Sequence, residues 1–350
     1  MSLTGTRSRV VRTAGGLSVG YRPRALLVGT GCLLLALVAA VFAIGSGEYP
    51  MPPGDVLRTL LGQGDPADAF IVNELRLPRT ATALLVGASL GLSGAVFQAV
   101  VRNPLGSPDI LGFTNGAAAG ALLVIFAVGG SSALLAGGAV AGALVTGTLI
   151  YALAWKRGMH GYRLVLVGVG TTAILTGVNS YLITRAGLTE ASRAVLWMTG
   201  SLDGRGWDDV LPLALGMVVL VPLVLLGCGR ALGMMEMGDD AAYALGVRVE
   251  HTRLALLVAG ILLVALSAAA AGPVSFVALC APQLARRLTK APGPNLLPSL
   301  CMGTLLLICA DLLAQRAFEE HQLPVGVITG VVGGGYLVWL LATERRAGRI

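Results

Sequence analysis

The sequence predicts an all-α, polytopic membrane protein of about ten transmembrane helices. Three observations predict it. Only 12% of the 350 residues are charged and 55% are hydrophobic, whereas soluble domains carry about 25% charged residues. Charge-free apolar runs of about 20 residues recur along the whole chain, the length an α-helix needs to cross a bilayer. There are 49 glycines, and pairs stand four apart at Gly87/Gly91, Gly116/Gly120, Gly138/Gly142 and Gly330/Gly334. Small residues at that spacing let helix backbones approach closely in lipid.

Residues 1–24 form a basic tail carrying Arg7, Arg9, Arg12, Arg22 and Arg24. The first apolar run, Ala25–Gly45, exceeds the signal-peptide core of about 7–15 residues and reads as a retained span. Nine further spans follow at Thr80–Val101, Gly112–Gly129, Ala133–Trp155, Leu164–Thr184, Asp209–Cys228, Thr252–Gly272, Pro273–Leu288, Leu296–Gln315 and Pro324–Thr343. The transmembrane domain is therefore 25–343, and 344–350 is a second short tail. Pro273–Leu288 is short and is parted from its predecessor only by Gly272-Pro273, so a single re-entrant arrangement competes with two spans there. Ala194–Gly200 fits a short interfacial helix with Trp197 at headgroup level.

Loop charge sets orientation. With both termini on one side, that side holds 18 of the 25 Lys and Arg residues and the other side 7. Both termini are thus expected in the cytoplasm. The five cysteines all lie in apolar stretches without a Cys-x-x-Cys pair and read as small hydrophobes. The three histidines share no ligand spacing, and no metal site is expected.

Glu236–Glu250 is a polar island among apolar spans. Gly238 breaks what precedes it, Asp239 suits an N-cap, and Asp240 suits the positive end of a helix dipole. Ala241, Ala242 and Leu245 are helix formers, and Gly246 is placed to close the helix in the left-handed region. A capped helix of about two turns, over about 237–247, fits either a docking knob or an ordinary surface loop.

Ionisable residues are nearly absent from the spans; Asp311 is the main exception. Proton-driven carriers and intramembrane hydrolases need such groups at depth, which disfavours a stand-alone secondary carrier or an enzyme. There is no Gly-x-x-x-x-Gly-Lys-Ser/Thr loop around either lysine, Lys156 or Lys290. Active transport would therefore draw its energy from another polypeptide docked on the cytoplasmic face. This chain is expected to bind no cofactor; ATP and Mg would belong to that partner.

Three other stretches are unlike lipid-facing helix. Arg76-Leu-Pro-Arg79 opens the second span, where Pro78 fits a first turn; its arginines fit either acidic partners or lipid headgroups. Arg102-Asn-Pro-Leu-Gly-Ser-Pro-Asp109 is a double-proline turn. Gly272-Pro273 through Pro282 is a proline-broken apolar segment, of the kind that flanks a path or a hinge.

Together these residues resemble the FecCD/BtuC-type permeases of bacterial ABC importers, from about residue 25 to the C-terminus. The ordered motifs are Arg-Leu-Pro-Arg (76–79), Gly87 with Gly94, Gln98 and Asn-Pro-Leu-Gly-Ser-Pro-Asp (103–109), Trp197 with Gly-Ser-Leu202, Gly-Asp-Asp-Ala-Ala-Tyr-Ala-Leu-Gly (238–246), Gly-Pro-Val-Ser-Phe-Val (272–277) and Leu-Pro-Val-Gly-Val (323–327). Within the family they most resemble the second permease subunit of enterobactin, or ferric siderophore, transporters. The resemblance implies a type II permease of ten helices, working with a second permease subunit (paralogue or identical chain), two cytoplasmic ATPases and an extracytoplasmic siderophore-binding protein in the cytoplasmic membrane. It implies that Gly238–Gly246 is the helix seated in the ATPase, and that Arg76 and Arg79 pair with acids of the binding protein. The third docking arginine of relatives falls on Gln315, with Arg316 next to it. Gln98, Asn103, Pro104, Gly272, Pro273 and Pro282 are expected along the path or its hinges. Gln283, Ala278 and Gly334-Gly-Tyr336 depart from the family pattern and are expected to alter local packing. Siderophore, haem and cobalamin permeases share these motifs, so the cargo stays open among them.

Overall fold

A bilayer gives no water to unpaired backbone groups, so the apolar runs must close their hydrogen bonds within helices. The computed structural model describes residues 9–12, 18–47, 49–128, 132–155, 161–317 and 322–346. A two-stranded antiparallel hairpin, β1 (Arg9–Arg12) with β2 (Ser18–Tyr21), lies within the basic tail. The helices follow as α1 (Pro23–Gly45), α2 (Pro53–Leu60), α3 (Pro66–Phe70), α4 (Leu77–Val101), α5 (Phe113–Val128), α6 (Ser132–Ala154), α7 (Gly161–Arg185) and α8 (Leu188–Met198). Then come α9 (Trp207–Pro222), α10 (Gly229–Met235), α11 (Asp239–Ala244), α12 (Val249–Ala271), α13 (Val277–Thr289), α14 (Leu296–Arg316) and α15 (Val325–Arg346). Wide π-type turns, Ile71–Arg76 and Leu223–Cys228, join α3 to α4 and α9 to α10.

Among the described residues seven helical rods are long and apolar enough to cross a membrane, fewer than the ten expected. The apolar helix Phe113–Val128 falls short of that length, and α15 is apolar over Val325–Leu340 of its 22 residues. The remaining expected span is broken. Pro273 and a left-handed Phe276 (φ 68°) delay the helix until Val277. The non-helical Pro273–Phe276 segment precedes a helix of 13 residues, about 20 Å long. A bulky residue at positive φ is strained. Gly333 makes room for it: a Cβ there would lie 2.3 Å from Phe276 Cβ.

The axis of the bundle is α4. Of its apolar window 89% is buried, against 17% for α7. Glycine puts it there. A Cβ on Gly87 would lie 2.5 Å from Gly303 O, and one on Gly91 2.3 Å from Ser299 O, so α4 and α14 meet backbone to backbone. The pairs Gly116/Gly120 and Gly138/Gly142 do the same for α5 and α6, with Gly120 Cβ falling 2.0 Å from Gly138 O. Gly330 and Gly334 do not: nothing stands within 4 Å of a Cβ at either. α8 begins at Leu188, earlier than the expected Ala194, and the π-type turn after Pro222 carries the α9 rod on to Met235.

Candidate functional site

Polar side chains gather at the two ends of the bundle, separated by the 23-residue length of α1, about 34 Å. One end holds α11. Its N-cap is Gly238 at φ 119°, and Asp239 is the first helical residue with no side-chain capping bond. This corrects the expected N-cap: the Asp239 carboxylate is occupied elsewhere. Arg253 Nη2 donates to both of its oxygens at 2.9 Å, and Arg102 Nη2 donates to Oδ1. Burial acts to raise the Asp239 carboxyl, but the hydrogen bond and charge of Arg253, with those of Arg102, outweigh it and hold the group below the usual carboxylate range. Gly246 (φ 83°) closes the helix: its N–H donates to Tyr243 O at 2.9 Å, and that of Val247 to Ala242 O at 3.0 Å. Ala242 is buried, whereas Asp240, Ala241, Tyr243 and Leu245 are exposed.

The turn after α4 lies against the same end. Arg102 ends α4 in the left-handed region (φ 54°) and donates also to Met235 O at 2.7 Å. Asn103 Oδ1 accepts from Leu105 N–H at 2.9 Å, the side-chain turn that Asn favours before Pro104. Gln98, buried in α4, donates to Leu279 O at 3.1 Å and accepts from Gln283 Nε2 at 3.0 Å. Gln283 Nε2 also donates to Pro104 O at 2.5 Å. Pro282 lies buried within α13 beside it. Asp109 accepts from Thr114 Oγ1 at 2.6 Å and from the Phe276 backbone N–H. Gln98, Asn103 and Pro104 are thus brought together with the α13 segment that holds Pro282, and a polar cavity of about 310 Å³ opens between Gln98, Asn103, Pro104, Glu236 and Arg286. Burial raises the Glu236 carboxyl, against the opposing charges of Arg286, Arg22 and Arg102.

At the other end lies a cavity of about 600 Å³, lined among others by Arg76, Arg79, Asp203 and Gln315. The expected docking arginines here all have internal partners. Arg76 donates to Ile44 O and Tyr49 O, each at 2.7 Å, and so closes the C-terminal end of α1. Arg79 pairs at 2.9 Å with Asp311, which is fully buried, and donates to Gln322 Oε1 at 2.6 Å. Gln315 donates to the second Asp311 oxygen at 2.7 Å, and Arg316 Nε to Ser46 Oγ at 3.1 Å. Gly272 and Pro273 lie apart from the Gln98 cluster. Gly200 (φ 70°) backs onto Pro273 O, where a Cβ would sit 2.2 Å away; Ser201 N–H donates to Ala271 O at 2.9 Å and Gly326 N–H to Gly200 O at 3.1 Å. Three motifs far apart in sequence therefore meet backbone to backbone.

Comparison with known proteins bears on this arrangement. The model of the FecCD transport family matches residues 33–343. The chain belongs to the FecCD transport family. It is 41% identical to the ferric enterobactin transport system permease protein FepG of Escherichia coli K12, over 93% of this chain and 99% of the relative. It is 35% identical to the iron(3+)-hydroxamate import system permease protein FhuG of Bacillus subtilis 168, over 90% of this chain and 96% of that one. A metal-chelate type ABC transporter solved in an inward-facing conformation superposes with a TM-score of 0.77 at 27% identity, covering 91% of this chain and 99% of the other. As a FecCD member with several membrane-spanning helices, the chain is a multi-pass membrane permease and not an enzyme.

Within this FecCD chain, sequence reasoning missed Arg102, Arg253 and Gln283 as site residues. Nothing local marks them: Arg102 and Asp239 lie 137 positions apart. The one available signal was Gln283, which departs from the family pattern and makes the buried contact to Gln98.

Proposed function

We propose that this chain is the transmembrane permease subunit of an ATP-binding cassette importer that carries a ferric siderophore across the cytoplasmic membrane of a bacterium. The observation that carries the proposal is the end-to-end likeness to FepG, a ferric enterobactin permease, at 41% identity over 99% of that protein. The subunit is of the type II class, with ten membrane passages, counting the short α5, the helix α15 and the broken segment Pro273–Thr289. Both termini are cytoplasmic, in keeping with the Lys/Arg bias. The thinly covered α7 supports a second permease subunit, paralogue or identical chain, packed alongside.

Energy enters through two separate cytoplasmic ATPases that bind ATP and Mg. Helix α11 is their seat, with Gly238, Asp239, Asp240, Ala241, Ala242, Leu245 and Gly246 forming or shaping it. The exposed apolar residues on and beside it, Met237, Tyr243 and Leu245, support that role. A siderophore-binding protein docks at the opposite end, where Arg76, Arg79 and Arg316 line or border the open polar cavity. Arginine suits that task because its planar fork takes a carboxylate bidentately. The internal partners of these arginines then serve to preset them; docking exchanges one carboxylate for another at Arg79, and a carbonyl or hydroxyl for a carboxylate at Arg76 and Arg316. The path between the ends passes the Gln98, Asn103, Pro104 and Pro282 cluster, with Gly272-Pro273 as a hinge.

The test is to purify the chain with its co-purifying subunits, reconstitute it in liposomes, and measure ATP turnover with ferric catecholate, ferric hydroxamate, haem and cobalamin, each with its binding protein. A ferric siderophore is expected to stimulate turnover and uptake. Stimulation by haem or cobalamin alone would overturn the cargo, and uptake without any ATPase would overturn the class.

A further inference from the structure

We infer that Asp239 is the internal pin of the chain, fastening α11 to the two membrane helices α4 and α12 rather than touching the partner that docks there. The inference rests on the reading of α11 as the ATPase seat and assigns the mechanical role within it.

A helix of six residues has little with which to hold on to the bundle. Only Ala242 of α11 is buried, in a small cluster with Met235, Val247 and Val249. Met237, Tyr243 and Leu245 are 64%, 52% and 58% exposed, so the rest of this apolar surface faces outward. A push on such a helix would rotate or melt it unless something ties it to the spans. The tie present is ionic. Both Asp239 oxygens are taken by Arg253, a residue 5% exposed near the start of α12, which is steadied in turn by Glu250 at 3.2 Å. The same carboxylate receives Arg102, the C-cap residue just after α4. Arg102 also holds Met235 O at the end of α10, so one guanidinium spans the entry to α11 and its first residue.

Arg102 has a second connection through the chain itself. The next residues, Asn103 and Pro104, begin the turn that Gln283 and Gln98 hold against α13. Movement of Asp239 therefore reaches α12 through Arg253, α4 through Arg102, and α13 through Pro104 O and Gln283. The arginine joints are charge-assisted hydrogen bonds and the Gln283 joint is partly buried, both stronger than hydrogen bonds exposed to water. Asp240, one residue on, is exposed and has no comparable partners among the described residues. The two adjacent carboxylates are thus assigned different roles, Asp239 inward and Asp240 outward.

The experiment uses the complete importer in liposomes, with a ferric catecholate as cargo, and reads two quantities: ATPase subunits retained on purification, and cargo taken up per ATP hydrolysed. Asp239→Asn keeps the shape of the side chain and removes its charge. It is expected to retain the ATPases while uptake per ATP falls about tenfold or more, the scale of losing a charge-assisted hydrogen bond; Asp239→Glu is expected to restore most of it. Arg102→Gln cuts only the α4 arm, leaves the Arg253 pair to hold the fold, and is expected to lower uptake per ATP as well. Unchanged uptake per ATP in Asp239→Asn or in Arg102→Gln overturns the inference. So does loss of the ATPases from Asp239→Asn, which would make Asp239 a contact residue. The Tyr243→Ala/Leu245→Ala double variant addresses the underlying reading separately: if it retains the ATPases normally, α11 is not their seat, whatever Asp239 does.

Discussion

A single methyl group on Gly94 reports whether α4 and α13 truly meet backbone to backbone. A Cβ at Gly94 would lie 1.7 Å from Ala278 O and 2.6 Å from Ala278 C, with no flexible side chain between them to yield. Restoring ordinary contact requires the two helices to part by about 1.5 Å, an overpacking that costs about 1–3 kcal/mol by itself. The damage spreads one turn along α4. Gln98 sits there with its 3.1 Å bond to Leu279 O and its 3.0 Å bond from Gln283, and both lengthen past bonding range when the helices separate. Buried hydrogen bonds left unmade cost about 1–3 kcal/mol each. Gly94→Ala should therefore destabilise by about 2–8 kcal/mol net, the overpacking and the two lost hydrogen bonds less a helix-propensity gain of about 1 kcal/mol. The assay is thermal unfolding in detergent, with Gly330→Ala as control, because a Cβ at Gly330 meets nothing within 4 Å. A melting temperature for Gly94→Ala equal to or above that of wild type would refute the close approach and the clamp built on it.

Arg79→Leu leaves Asp311, fully buried, with Gln315 as its remaining hydrogen-bond partner. Breaking such a pair costs about 3–5 kcal/mol, and the double variant Arg79→Leu/Asp311→Leu should recover much of it; melting in detergent without binding protein decides. Asp239 has its carboxyl lowered in the folded state. Its contribution is therefore complete above the unfolded value of about 3.9 and is lost only as pH falls through the lower folded value. Hydrogen-exchange protection factors of residues 237–247, corrected for the intrinsic pH dependence of amide exchange, should stay flat from about pH 5 to 8 and fall only below about 4, and a fall near neutrality would contradict the ion pairs. Cys32, Cys228, Cys280 and Cys301 are free and buried. Maleimide should label them only after denaturation, and rapid labelling of the folded protein would place these helices wrongly.

The span boundaries were legible because lipid imposes a rule that a single sequence obeys locally. Ala25–Gly45 became α1 and Leu296–Gln315 became α14 to within about two residues, the usual uncertainty of helix ends. The glycine pairs were legible in part. Four-residue spacing marks a face on which backbones approach, and three of the four pairs do so. Gly330/Gly334 carries the same signature and packs against nothing within the described residues of this chain. The short α2, α3 and the π-type turn at Ile71–Arg76 went unread, because pieces of that length have no periodicity to betray them. Asp239 was read as a cap because Asp before a helix usually is one. Two arginines from distant helices outcompete the backbone N–H groups for its oxygens.

By itself, the sequence determined that this chain is a multi-pass helical membrane protein of the FecCD family, and where most of its helices lie. Length, apolarity and motif order are properties of a string, and each span satisfies its backbone internally. Only the tertiary structure decided which polar groups meet. Arg102, Asp239 and Arg253 converge on one carboxylate, and Gln98, Gln283 and Pro104 on one clamp. Arg79 is turned inward to a buried Asp311. Such partnerships depend on how α4 seats against α12, α13 and α14, and that seating is set by backbone contacts at glycine that no local pattern of charge reveals.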